Sequence, residues 1–93
     1  MQSRTQRIET TLQAAFAPTL LRVEDDSARH AGHVGARPGG ETHFNILLVS
    51  VAFAGQNRIA RHRLVHAALG AEFTAGLHAV ALTLRTPEEQ AQN

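Results

Sequence analysis

The chain has 93 residues, 43% of them hydrophobic and 18% charged, with a net charge of +1 when histidine is neutral. That length fits one domain with a modest core; four Phe without Trp or Tyr leave no aromatic platform for stacked bases, and the near-neutral total confines a nucleic-acid case to a local patch. The absence of cysteine excludes disulfides, thiol nucleophiles and clusters held by the chain's own thiolates, whereas six histidines are many for this length.

In chain order, Ser3 with Gln6 fits a capping box, and Ile8, Leu12, Ala15 and Phe16 recur at helical spacing. This predicts an amphipathic helix of about four turns, ended by Pro18. Residues 19–24 alternate, Leu21 and Val23 against Arg22 and Glu24, as in a half-exposed strand. Residues 25–40, DDSARHAGHVGARPGG, hold four glycines, one proline and no apolar pattern. A loop of more than about 12 residues in a compact domain is usually functional or disordered, and a flexible loop is expected over residues 26–40. It carries His30 and His33.

Residues 42–50, THFNILLVS, are the most β-like segment and read as a central strand, with Phe44, Ile46 and Leu48 on one face. Pairing with residues 19–24 makes an antiparallel hairpin with an oversized loop. Residues 51–54 read as a short helical turn. In the last strand, residues 77–85, His78, Val80, Leu82 and Leu84 are expected on one face and Leu77, Ala79, Ala81 and Thr83 on the other. Thr86 and Pro87 start a helix that can only be a stub, so residues 87–93 form a short tail.

The segment before that strand has the most definite character. Gly55 and Asn57 supply a turn, and a helix follows toward Gly70. Ala60, Leu64, Ala67, Ala68 and Ala71 fall within one uncharged arc of about 100°, expected to lie close on the sheet. Val65, Leu69 and Phe73 form a second row, with Arg58, Arg61 and His62 among it and Arg63 on another side. Cations at a helix N-terminus oppose its dipole at roughly 0.3–1 kcal/mol each. Arg58, Arg61, His62 and Arg63 therefore mark a candidate surface for an anionic partner, against the plainer reading of solvated or internally paired arginines.

The order α-β-β-α-β makes a single α+β domain over residues 1–93: a small three-stranded mixed sheet with helices on one face. Catalysis finds no support. There is no Ser/His/Asp set, no paired carboxylates, and no phosphate loop of the G-x-x-x-x-G-K-[ST] kind. Neither is there a G-x-x-G loop between two helices to clamp a nucleic-acid backbone.

Three strings, RIETTLQAAFAP, ETHFNILLVSVAFAGQNRIARHRLVHAALGAEF and GLHAVALTLRTPEE, resemble the BolA family over nearly the whole chain. The resemblance implies a class II KH-like two-layer fold and a non-enzymatic role. BolA-like proteins partner monothiol glutaredoxins and share a [2Fe–2S] cluster with them in iron–sulfur trafficking and iron homeostasis, and some bacterial members are described as transcription regulators. The family's histidine ligand falls on LHA, hence His78. Its second ligand lies in the loop between the first two strands, hence His33 or His30, with His33 favoured as nearer the following strand. The family's helix-turn-helix-like segment corresponds to residues 51–69.

A cluster needs four ligands, and this chain has only imidazoles to give. The thiolates must come from outside, and the family implies a glutaredoxin cysteine and glutathione. Two imidazoles on one iron would resemble Rieske ligation, and assembly should weaken as pH falls through about 6.5. The chain alone is expected to hold no stable cluster and to be a monomer or weak homodimer. No apolar run approaches the roughly 18 residues of a membrane span. With no secretory pattern at the N-terminus, a cytoplasmic setting without a membrane partner is expected. The alternative function is a DNA-binding transcriptional regulator that uses the basic helix, residues 57–69, and binds DNA weakly.

Overall fold

A computed structural model of the protein describes residues 2–27 and 41–92. Ser3 opens helix α1 (Arg4–Phe16) with the expected reciprocal cap: its hydroxyl accepts from the Gln6 amide, and the Gln6 side chain accepts from the Ser3 amide. Ile8, Leu12 and Phe16 are buried along one side, whereas Ala15, expected with them, is exposed. Ala17 closes the helix in the left-handed conformation, φ 44, and the chain turns at Pro18 into strand β1 (Leu20–Asp25).

β1 pairs antiparallel with β2 (His43–Val49), and β3 (Ala79–Arg85) runs parallel to β2 on its other side, giving the order β1-β2-β3. The most β-like segment is thus the central strand, as its two-sided apolar pattern requires. Phe44, Ile46 and Leu48 point into the core, joined by Leu21 and Val23 from β1 and by Val80, Leu82 and Leu84 from β3. Ile8, Leu12, Phe16, Val65 and Leu69 close over them from the helices. Each such side chain, fully buried, contributes on the order of 1.5–3 kcal/mol. One turn of 3₁₀ helix (Val51–Phe53) after β2 buries Phe53 against Phe16, ring centroids 5.3 Å apart. The buried Ser50 hydroxyl donates to the Phe16 carbonyl at 2.6 Å and satisfies the end of α1.

Helix α2 (Arg58–Ala68) is capped by Asn57, but it presents a different side to the core than its small-residue arc suggests. Leu64, Ala67 and Ala71 are exposed and only Ala60 and Ala68 are half-buried, while Val65 and Leu69 are the residues taken into the core. The branched row removes more apolar area from water than an alanine row can. A second short helix, α3 (Gly70–Thr74), follows at once. Glu72 on α3 is buried against α1, where it accepts from Arg4 Nε at 3.1 Å and Arg7 Nε at 2.9 Å.

The Gly76 turn, φ 117, then leads into the sheet. Leu77, expected on the face opposite Val80, lies in the core because the strand begins only at Ala79. The expected stub is α4 (Pro87–Ala91), capped by Thr86 with Glu89 as its reciprocal partner. Among the described residues the order is α-β-β-α-α-β-α, a two-layer α+β fold.

Candidate functional site

His78 stands one residue ahead of β3, and backbone contacts fix it there. Its amide and that of Ala79 both donate to the Thr42 carbonyl, at 2.9 and 3.1 Å. By alternation it belongs with Val80, Leu82 and Leu84, as expected, yet it lies beyond the covered part of the sheet and its side chain is exposed. His43, opposite Ala79 in the parallel register, is 7% exposed. Its ring centroid lies 5.1 Å from that of His78, with the planes at 50°, and its Nδ1 is 3.0 Å from the Thr42 hydroxyl. His43 is thus the side chain His78 rests against. Only the pairing of β2 with β3 brings together residues 35 apart; no spacing motif announces them.

The ends of the long loop meet at the same place. The Asp25 carboxylate accepts from the Ser27 amide at 2.9 Å, the Ser27 hydroxyl at 2.5 Å and the Glu41 amide at 3.1 Å. Ser27 Oγ in turn accepts from the Thr42 amide at 2.9 Å. Asp26 donates its amide to the His43 carbonyl at 2.8 Å. Desolvation raises the Asp25 carboxyl, but the Ser27 and Glu41 hydrogen bonds outweigh it and leave the group below its ordinary value. His30 and His33, with the rest of residues 28–40, lie outside the described residues.

Among the described residues, no three of His, Cys, Asp or Glu are arranged to hold a metal ion. The donors in view are one exposed imidazole and a buried one beside it, without a thiolate. That set fits a share in a ligand shell completed from outside better than a resident four-ligand centre.

The four residues expected at an anionic partner part ways. Arg61 is taken up within the fold: its guanidinium donates to Glu89 at 2.6 and 3.1 Å, to the Gln56 carbonyl at 2.8 Å and to the Leu84 carbonyl at 3.2 Å. It also lies over the Phe53 ring, 5.8 Å from the centroid, and its side chain is 13% exposed. The hydrogen bond from Arg61 lowers the Glu89 carboxyl to about 2. The expectation of an outward-facing Arg61 is therefore corrected, because the apolar row it occupies turns inward and an acid meets it there. Arg58 and Arg63 remain exposed, without an ion-pair partner among the described residues. His62 is half-buried, its Nδ1 2.9 Å from the Arg58 carbonyl. Between them Ile59 is 63% exposed.

The family model described as BolA-like protein matches residues 12–89. The chain is 43% identical over 91 residues to "Protein BOLA1, chloroplastic" of Arabidopsis thaliana, covering 96% of this chain and 57% of that protein. It is 40% identical over 84 residues to the "DNA-binding transcriptional regulator BolA" of Escherichia coli strain K12, covering 90% of this chain and 76% of that one. The solved BolA domain of SufE1 from Arabidopsis thaliana matches with a TM-score of 0.86 and 44% identity, over 96% of this chain and 98% of that one. The chain spans less than two thirds of the length of the first curated relatives it matches.

Proposed function

The chain belongs to the BolA-like family, and from that premise we propose that it is a non-enzymatic adaptor for a monothiol glutaredoxin. It shares a [2Fe–2S] cluster with that partner through histidine ligands, in iron–sulfur trafficking or iron regulation. The observation that carries this reading is His78: an exposed imidazole, fixed by backbone hydrogen bonds, beside the joined ends of the loop that contains His30 and His33.

The cluster, when bound, supplies a one-electron redox centre and a transferable iron–sulfur unit. This chain's part is to hold donors. Thr42 sets the backbone of His78, His43 limits where its ring can turn, and the Asp25–Ser27–Glu41 contacts keep the loop ends together. The missing thiolates would come from the glutaredoxin cysteine and glutathione. Among the described residues no helix is long and apolar enough to cross a membrane, and a cytoplasmic setting is part of the proposal. The test is anaerobic reconstitution with a monothiol glutaredoxin and glutathione, read by visible absorption and circular dichroism. His78→Ala, at an exposed position, should keep the fold and lose or strongly alter the mixed spectrum; an unchanged spectrum removes His78 from the ligand set.

A second reading, a DNA-binding regulator, is favoured by the name of the Escherichia coli relative and by the exposed Arg58 and Arg63 on α2. With Arg61 held by Glu89, few cations remain for phosphates, so weak and largely non-specific binding is expected.

A further inference from the structure

Among the described residues β3 is an edge strand. Its paired side is marked by the Ser50 amide donating to the Arg85 carbonyl at 2.9 Å and by the Ala79 amide donating to the Thr42 carbonyl. Successive residues of a strand turn their amide and carbonyl to opposite edges. Val80, Leu82 and Leu84 therefore turn theirs away from β2, and the Leu84 carbonyl meets the Arg61 guanidinium there. Along that open edge runs a cleft of about 580 Å³, walled by Arg58, Arg61 and His62 of α2, Leu82 and Arg85 of β3, and Glu89 of α4. The one carboxylate among these is engaged by Arg61. Arg85 donates to the neutral Gln90 side chain, and neither it nor Arg58 has an acid partner among the described residues.

We propose that this cleft takes an extended acidic segment of a partner protein, added to the sheet as a fourth strand against β3. From Val80 to the Leu84 amide, short of the carbonyl that Arg61 takes, this edge offers donors and acceptors in alternation, which a peptide backbone matches on both counts. A phosphodiester offers acceptors only, and among the described residues no Phe, Tyr or Trp lines the cleft for bases to stack on. Arg58 and Arg85, with the N-terminal end of α2, set the sign of the side chains admitted. The surface is separate from the histidine site: Leu84 stands six residues along the strand from His78, about 20 Å away. The inference is therefore independent of the cluster-sharing reading, and both surfaces can be occupied together.

The test is an NMR titration of the ¹⁵N-labelled full chain with blocked eight-residue peptides, one alternating Thr or Val with Glu, one with Lys in place of Glu. A single-stranded oligothymidine and a short duplex are titrated in parallel. The acidic peptide should shift the amides of Leu82 and Leu84 together with those of the first turn of α2, and bind more weakly as salt rises. Arg58→Glu should weaken it roughly fivefold; this variant places an acid where the helix dipole favours one, so the fold is kept. An equal response to the lysine peptide, no response at millimolar peptide, or the same shifts produced at lower concentration by either DNA would overturn the proposal.

Discussion

Glu72 and the loop histidines carry two separate predictions at the scale of single residues. Glu72 is 9% exposed and holds α3 to α1 through Arg4 and Arg7. The hydrogen bond from Arg7 lowers its carboxyl, against desolvation and with help from Arg4. A carboxylate lowered in the folded state stabilises above its ordinary value of 4.5, and that contribution is lost as pH falls through the lowered one. Because Arg7 is 40% exposed, the cost of Glu72→Gln is set below that of a fully buried pair, at about 1–2 kcal/mol in urea denaturation at neutral pH. The gap between wild type and variant should narrow at acid pH; a gap that widens there would contradict the assignment. In reconstitution with glutaredoxin, His33→Ala is expected to diminish the mixed spectrum more than His30→Ala. The reverse order would make His30 the loop ligand.

Elements differ in how far the sequence disclosed them. The caps of α1 and α4 are local, written in residues three apart, and both were legible in the chain, whereas Asn57 read only as part of a turn and proved to cap α2. The central place of β2 was legible too, since both of its faces are apolar. The side that α2 turns inward was not legible, because it depends on partners remote in sequence. Arg61 sits in the inward row only because Glu89, 28 residues later, meets it. A row containing an arginine reads as the outer one until that acid is known. The His43–His78 contact escaped for the same reason, being a consequence of strand register. Arg61 thus joins α2, β3 and α4, and Arg61→Ala should free α4, with amide exchange of residues 88–91 rising well above that of β3. Glu89 is lowered to about 2 in the folded state, so wild-type protection of α4 should persist at pH 5 and fail only as pH drops toward that value. Protection of α4 unaffected by Arg61→Ala would show that Thr86 and Pro87 suffice to hold it.

At the scale of the whole molecule, the sheet separates two surfaces, an imidazole site at the start of β3 and a basic cleft along its later half. If DNA binds at all, the exposed Arg58 and Arg63 limit it to about two or three phosphate contacts, hence a log–log salt slope near −2 to −3. Binding to an arbitrary duplex should then vanish near 0.15 M salt. Tight, sequence-selective binding at that salt would make the regulator reading primary. The central claim is that this chain shares a cluster with a partner. It is tested most directly by native mass measurement of the protein reconstituted with a monothiol glutaredoxin, glutathione, iron and sulfide. One species containing one copy of each chain and one [2Fe–2S] unit is expected, absent when His78→Ala is used. A cluster found wholly on a glutaredoxin homodimer, with this chain recovered free, would contradict it.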